Sequence, residues 1–491
     1  MRLLGKMANS AGILEKFAPL FEPHCIAVVG ASASGVAPGN EFIRHSRALG
    51  FGGRIIPLHP SADSIEGLQC CRSFREVDQI VDYAYVAIAA NRVPDLLRDA
   101  AGKLRFAQVM SSGFGEIEDG KALEKQLRTV ARASGIRVLG PNCLGIHSPR
   151  GHLTFVGQAL AEVGRIGVIS QSGGLAVDMI LRGQEQGLRY SGLVTIGNSA
   201  DLGPAELLEF YMADPATAVI GLYLEDVRDG RRFFQALRDG NATKPVVLLI
   251  GGQTQQGQRA AASHTGSLAT DFAVWSGLAR QTGAIITGKL DEFLDALLAF
   301  QCLRSRDDVP TDRVVLFGNG GGTSVLAADA FARAGLDVSP MPLEARQALA
   351  SLKLPPGTSI INPIDTPAGT LRQDDGKVAE HILEAIFGLA RPSAVVMHIN
   401  LPVFLTASDR RHDIVNNLVD AAVRVQAHYP GTAHFVMVLR SDGSAQTEER
   451  KRDYRANMVR KGIPVFDEMA DAAGALAAIA SVERFRAKRR P

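Results

Sequence analysis

Short apolar runs, each closed by glycine, serine, proline or another small polar residue, alternate with longer amphipathic stretches along the whole chain. Runs of that length without internal alternation read as strands buried on both faces. Their regular exchange with helical stretches predicts βαβ units and mainly parallel sheets. A first block carries "CIAVVGAS", "GRIIPLHP", "YAYVAIAA", "FAQVMSSGFG" and "IRVLGPNCLG". A second carries "GRIGVISQSGG", "YSGLVTIGNSAD", "AVIGLYLED", "KPVVLLIGG" and "GAIIT". A third carries "DRVVLFGNGGG", "GLDVSP", "SAVVMHINLP", "HFVMVLRSDG" and "GIPVFD". Helical stretches such as "AELLEFYMA" and "DEFLDALLAFQCLR" fill the gaps. Polar, glycine and charged residues collect near 150–164 and 300–311. The expected fold class is therefore α/β, with three Rossmann-like or flavodoxin-like domains at 1–150, 151–305 and 306–491. The strand-then-glycine plan recurs in each block without a fixed repeat period.

Ligands of open α/β sheets bind beyond the carboxyl ends of the strands, so the loops that close these runs carry the candidate chemistry. In "VVGASASG", Gly30, Ala31 and Ser32 keep the first loop small and leave amides free for a phosphate at the next helix start. A purely structural turn is the alternative. The second strand runs out in His59 and Pro60 rather than in the acid that would hold an NAD ribose. A phosphate-bearing nucleotide other than NAD is thus indicated, and an NAD-dependent oxidoreductase is disfavoured. In "VISQSGGLAVDMI", Ser172, Gly173 and Gly174 fall at a helix N-terminus, where exposed amides and the positive end of the dipole favour an anion. "FGNGGGTSVLAADA", with Gly318 and Gly320 to Gly322, repeats that design in the third block.

Two further stretches carry reactive groups. "LYLED" ends a strand in Glu225 and Asp226, either ligand-facing carboxylates or solvated loop acids. "AAASHTGSLATD" sets His264 between small residues, on a loop or at a helix start past a sheet edge. Of eleven histidines it alone is flanked on both sides by small residues, so nothing in the sequence nearby offers it packing. Imidazole can act as a nucleophile and carry a covalent intermediate. A phosphorylated imidazole needs donors for its phosphate, which a helix start supplies. It also needs a carboxylate on the other ring nitrogen, a role open to Glu225.

Composition narrows the class. The 491 residues, 46% apolar and 21% charged, suit a soluble chain of about three domains. With 53 basic and 51 acidic residues the net charge is +2, too little to pull the chain to nucleic acid or anionic membrane. The basic tail "RFRAKRRP" reads as a solvated end. Fifty glycines against 7 tyrosines and 1 tryptophan favour nucleotide-type α/β folds over base-stacking surfaces. Five scattered cysteines, none at zinc spacing, point to a reducing compartment and to no metal site on this chain. No apolar run approaches the roughly 18 residues of a membrane span, and the N-terminus is too interrupted for a secretory signal. The expected location is the cytoplasm.

Taken in order, these motifs resemble the ADP-forming (NDP-forming) acyl-CoA synthetases, relatives of the succinyl-CoA synthetase α subunit. The resemblance runs from "LFEPHCIAVVGAS" through "IIPLHPSADSIEGLQC", "VMSSGFGE", "VLGPNCLG", "GVISQSGGLA", "VTIGNSADLG", "LYLEDVRDGRRF", "KPVVLLIGGQT" and "ASHTGSLA" to "VVLFGNGGGTSVLAADA" and "INPIDTPAG". It implies an acid–thiol ligase that interconverts carboxylate, CoA and ATP with acyl-CoA, ADP and phosphate. It implies a CoA-binding first domain followed by two ligase-type domains. His264 would be the phosphorylated histidine, Glu225 would steady it, and Ser172, Gly173 and Gly174 would hold the phosphate. Gly30, Ala31, Ser32, Ile88, Ala89, Ala90, Ser112, Gly113, Pro141 and Asn142 would line the CoA site. The chain departs from the family pattern after "VVGAS": "ASGVAPGNEF" carries no base, and the first is Arg44. No stretch after "VFDEMADAAGALAAIA" has room for a nucleotide-binding ATP-grasp domain, so ATP or ADP and Mg2+ are expected on a separate β subunit. A hetero-oligomer or a dimer of α subunits follows by resemblance. The alternative reading is a CoA or nucleotide sensor that kept the fold and lost turnover.

Overall fold

The computed structural model describes residues 2–240, 242–265, 270–307, 309–405 and 413–489; the side chains of residues 2–10 and 262–265 fall outside that description. Three sheets organise it. The first contains β1 (Cys25–Val29), β2 (Arg54–Leu58), β5 (Val81–Val86), β6 (Leu104–Val109) and β7 (Arg137–Leu139), in the order β2-β1-β5-β6-β7 and all parallel. A small hairpin, β3 (Ser64–Ile65) and β4 (Leu68–Gln69), stands apart. The second contains β8 (Ile146–His147), β9 (Ile166–Ser170), β10 (Tyr190–Thr195), β11 (Val219–Leu224), β12 (Val246–Ile250) and β13 (Ile285–Thr287), in the order β13-β12-β11-β9-β10-β8. The third contains β14 (Val314–Gly318), β15 (Ser359–Ile360), β16 (Ile364–Asp365), β17 (Ala394–Asn400), β18 (His434–Arg440) and β19 (Val465–Phe466), in the order β15-β16-β14-β17-β18-β19.

Counted by parallel strands alone, each sheet has the flavodoxin-like order, with the second strand on one side of the first and the rest on the other. Each therefore has one switch point, between β1 and β5, between β9 and β11, and between β14 and β17. The strands are as buried as the unbroken apolar runs require. Two compact units result. One comprises the residues up to Gln184 with Leu188–Leu290; the other comprises Glu185–Gly187 with the residues from Asp291 onward. The first unit holds two sheets, and the second begins earlier than the boundary expected near 305. Among the described residues no helix is long and apolar enough to cross a membrane.

The first two sheets are joined by backbone pairing. β8 belongs by sequence to the first block, yet it pairs antiparallel with β10, Leu193 against His147 and Val194 against Ile146. The chain after β10 then runs along the end of β7: Ala200 N–H donates to Gly140 O at 2.9 Å and Leu202 N–H to Val138 O at 3.1 Å. The N-terminal helix Arg2–Phe21 seals the same seam. Its Phe17 ring lies 6.0 Å from Phe106 of β6 and 5.4 Å from Phe210 of the second sheet's helix Pro204–Ala213. Beside it Arg137 binds Glu206 at 2.8 Å and Asp201 at 2.9 Å, and Lys16 also reaches Glu206. Against the opposing pull of burial, these cations bring the Glu206 carboxyl down to about 2.

The third sheet differs from expectation at one strand. "GLDVSP" makes only a single bridge, Asp337 to Arg313. The Asn362 side chain takes the strand's place beside β14: it accepts from Leu316 N–H at 3.0 Å and donates to Val314 O at 2.9 Å. The antiparallel pair β15 and β16 flanks it. Polar residues in "SIINPID" hid this element from a reading based on apolar runs.

Two fully enclosed histidines set an acid limit on stability. Burial pushes the imidazole of His147 in the first unit down to about 4. In the second unit burial, opposed by Asp365 and reinforced by Arg440, pushes His398 down to about 4. Unfolded histidines titrate near 6.5, so below that pH the unfolded chain binds protons that the folded chain does not. The stability due to each neutral ring is therefore present at pH 7 and is lost as pH falls through the window from about 6.5 to about 4. Each should remove about 2 kcal/mol between pH 7 and pH 5. Denaturant unfolding of His147→Gln should show a pH 7-to-5 loss smaller than wild type by about that amount; an unchanged loss would contradict a neutral His147.

Candidate functional site

At the β1–β5 switch point a cavity of about 560 Å³ opens, walled by Gly30, Ala31 and Ile88 on one side and Leu58 to Pro60 on the other. Gly30 has φ 103°, and a Cβ there would lie 2.1 Å from the Ala87 carbonyl oxygen. Only glycine lets the end of β1 pass the end of β5 so closely. Of the ten residues expected at a CoA site, these three line the cavity. Ser32 sits on the same loop, but its N–H is taken by Asn40 Oδ1 at 2.8 Å. Ala89 and Ala90 follow β5, Ser112 and Gly113 follow β6, and Pro141 and Asn142 follow β7, so all lie along the same sheet edge. Asn142 N–H donates to Ser111 O at 3.0 Å, and a Cβ on Gly113 would stand 3.5 Å from that of Ala90.

The basic residues at this cavity are ones the sequence did not single out. Arg44 is committed elsewhere, to Glu66 at 2.7 Å and Gly35 O at 3.1 Å. Arg72 and Arg92 line the cavity instead. The β3–β4 hairpin returns the chain to the edge of β2, where Cys71 N–H donates to Pro57 O at 3.0 Å, and this delivers Arg72. Arg72 holds the exposed Asp63 at 2.6 Å, a pair that solvent screens. Arg92 closes the turn after β5 and is exposed. A base at the end of "AIAANR" was a readable signal for Arg92. Arg72 had none, because a hairpin and not a spacing brings it back.

At the β9–β11 switch point one side chain ties the two strand ends together. Gln171 Oε1 accepts the N–H of Glu225 and, at 3.1 Å, that of Asp226, while its Nε2 donates to Asp226 Oδ1 at 2.7 Å. This amide clamp also went unmarked in the sequence. Ser172 stands just before the helix Gly173–Gln186, and its hydroxyl accepts from Leu175 N–H at 3.3 Å as an N-cap. Gly173 and Gly174 occupy the first turn, whose N–H groups have no intrahelical acceptor. A Cβ on Gly174 would meet nothing within 4 Å, so the space above those amides is open.

Glu225 follows β11 and is only 6% exposed. Its Oε1 accepts from Tyr223 Oη at 2.9 Å. Its Oε2 is buried and has no hydrogen-bond partner among the described residues. Burial, with the neighbouring Glu225 charge, pushes the Tyr223 phenol well above its usual range, so it stays a donor. Ser172 and Glu225 thus meet at one switch point, through Gln171.

His264 is placed differently from expectation. It lies near the end of the helix Gln255–Thr265, not on an open loop or at a helix start. Alanines, glutamines and arginine in "QQGQRAAA" outweigh the single Gly257, and Thr254 caps the start by accepting Gly257 N–H at 3.1 Å. The His264 side chain lies outside the described residues. Its helix starts after β12, the neighbour of β11, so backbone topology brings the start of that helix to the edge that carries Glu225.

The third sheet repeats the strand-glycine-helix plan at its own switch point. Gly320 N–H donates to Asp365 Oδ1 at 2.7 Å beside the helix Gly321–Arg333. His398 of β17 is buried next to Gly318, and neither ring nitrogen has a partner among the described residues. Among the described residues no group of three or more His, Cys, Asp or Glu side chains could hold a metal ion.

Comparison with known proteins places these features. Residues 24–149 match the CoA binding domain family, and residues 163–300 match the succinyl-CoA ligase like flavodoxin domain family. The α subunit of acetate–CoA ligase [ADP-forming] II from Pyrococcus furiosus is 29% identical over 94% of this chain and 96% of its own length. The α subunit of acetate–CoA ligase [ADP-forming] I from the same organism is 35% identical over 70% of this chain and 75% of its own. Among solved structures, the dinucleotide forming acetyl-coenzyme A synthetase 1 of Ca. Korarchaeum cryptofilum, in complex with phosphate and ADP, superposes with a TM-score of 0.81 at 28% identity. That match covers 96% of this chain and 97% of the other. With its three flavodoxin-like sheets, its CoA binding domain and these relatives, this chain belongs to the family of ADP-forming acyl-CoA ligase α subunits.

Proposed function

We propose that this chain carries the CoA site and the phosphohistidine of an ADP-forming acyl-CoA synthetase, and that a separate ATP-grasp β subunit supplies the nucleotide and Mg2+. The observation that carries this reading is the unpartnered Oε2 of the buried Glu225. A buried carboxylate oxygen without a donor is costly. It is suited to an imidazole N–H arriving from the helix that bears His264. A protein that only sensed CoA has no use for such a group.

In this reading Glu225 fixes one ring nitrogen of His264 as the donor and leaves the other as the nucleophile. That nitrogen attacks the γ-phosphorus of ATP and ADP leaves. The phosphoryl oxygens then meet the Gly173 and Gly174 amides and the positive end of their helix. A substrate carboxylate oxygen attacks the phosphorus, the N–P bond breaks, and an acyl phosphate forms. The CoA thiol attacks the acyl carbon and phosphate leaves. The CoA phosphates lie against Arg72 and Arg92, and the strand-end loops 88–90, 112–113 and 141–142 guide the pantetheine toward the second sheet. The substrate is a carboxylic acid.

Incubating the chain with its ATP-grasp partner and γ-labelled ATP should give an acid-labile phosphoprotein. His264→Ala and His264→Gln should both abolish the label; a label that survives in either assigns the phosphoryl group elsewhere. Glu225→Gln should slow labelling by about 10- to 100-fold, the worth of a charged hydrogen bond, and leave CoA affinity unchanged. A collapse of CoA affinity in that variant would contradict the role given to Glu225. Arg92→Ala should weaken CoA binding by about tenfold at low salt and by less as salt rises; calorimetry showing wild-type affinity would move the phosphates elsewhere.

A further inference from the structure

Between the two sites lies a bridge of side chains. Asn198 stands in the loop after β10, at the seam between the first two sheets. Its N–H donates to Pro141 O at 3.0 Å. Its Nδ2 donates to Glu116 Oε2 at 2.5 Å and to Glu124 Oε2 at 3.1 Å. Its Oδ1 accepts from Asn142 Nδ2 at 3.4 Å. Gly197 beside it has φ 48°, and a Cβ there would lie 2.3 Å from the Pro141 and Asn142 carbonyl oxygens, so the approach admits no side chain.

Both carboxylates that Asn198 holds reach the loop after β6, and Glu124 also reaches the loop after β11. Glu116 accepts Gly113 N–H and, at 3.2 Å, Phe114 N–H, and so shapes the loop after β6. Although burial opposes it, Asn198 and these amides hold the Glu116 carboxyl below its usual range. Glu124 accepts Gly115 N–H at 3.1 Å through Oε2, and Arg228 at 3.0 Å through Oε1. Arg228 lies three residues past Glu225 on the loop after β11. The Arg228 side chain is 47% exposed, so solvent screens its pair with Glu124. The Asn198 amide is thus the main tie from Glu116 and Glu124 to the second sheet. Both its protons are used, and aspartate at this place would offer none to two carboxylates.

We propose that Asn198 is a positioning residue that couples CoA use to phosphoryl transfer, by fixing the Ser112–Glu116 loop against the second sheet's strand ends. The inference rests on the function proposed above. It assigns no chemistry to Asn198, which acts through Glu116, Glu124 and the loops they hold.

The test compares partial reactions in the full chain assembled with its ATP-grasp partner, using acetyl-CoA as the probe. Three quantities are read: labelling of the protein from γ-labelled ATP, labelling from acetyl-CoA plus labelled inorganic phosphate, and CoA affinity by calorimetry. In Asn198→Asp and Asn198→Ala, labelling from ATP and CoA affinity should stay within about threefold of wild type. Labelling from acetyl-CoA and phosphate should fall by about 30-fold or more, in kcat and not in KM. Glu116→Gln should show the same split, and Arg228→Ala should show little of it. Equal loss of all three quantities, or a lowered melting temperature that accounts for the loss, would reduce Asn198 to a structural residue and overturn the proposal. So would wild-type rates in the aspartate variant. If the unmutated complex takes no label and binds no CoA, the functional reading fails instead, and the bridge has nothing to couple.

Discussion

The relation between the two sites depends on the seam where the chain after β10 is bonded to the chain after β7. Backbone pairs such as Ala200 with Gly140 and Asn198 with Pro141 bind main chain to main chain, so the bonds themselves use no side-chain atom. The seam runs beside the loops that follow β6 and β7 at the carboxyl edge of the first sheet. It also adjoins β9 and β10 of the second sheet. Phe17 and the Arg137–Glu206 pair shut its outer side with apolar contact and with charges that burial makes hard to separate. Two flavodoxin-like sheets that could move as separate domains are thereby one unit.

With that frame fixed, the two edges differ in charge. The cavity at the first edge is lined by Arg72 and Arg92, by Asp95 and Asp99, and by the small residues Gly30 and Ala31, so it offers two cations to a phosphate-bearing ligand. The second edge sets a buried carboxylate, Glu225, near the positive end of a helix. An imidazole can satisfy the carboxylate, and a phosphate can satisfy the helix; a phosphorylated histidine satisfies both at once. The Gln171 amide holds these two opposite fields at fixed separation, because it bonds to the backbone of Glu225 and to the side chain of Asp226.

How much of this was legible in the sequence follows from range. Strands buried on both faces announce themselves as unbroken apolar runs, and almost all of them form where the pattern put them. "GLDVSP" does not, because a side chain, Asn362, supplies the hydrogen bonds that a strand would have made. The glycine loops and Glu225 were readable because each lies next to the strand that positions it. Arg72, Gln171 and Asn198 were not, since each matters through a partner distant in sequence. The place of His264 was misread: small residues looked like a loop, whereas alanine is the best helix former.

The glycines divide by what they permit. Gly30 and Gly197 are small because another backbone lies within van der Waals distance of the place a Cβ would take. Gly174 and Gly322 are different. Each is the second residue of a helix, and each would carry a Cβ into open space. Packing does not ask for glycine there, and glycine in a helix costs about 1 kcal/mol relative to alanine. Their immediate neighbours Gly173 and Gly321 are tight, against Leu144 and Asp365. The second and third sheets therefore share a pairing of one glycine for fit and one for clearance, at the same turn of the same helix in each fold. Clearance over free amides is what a phosphate needs in order to approach. The glycines that look redundant in "SQSGG" and "GNGGG" thus answer two separate constraints, and only the second of each pair bears on ligand access.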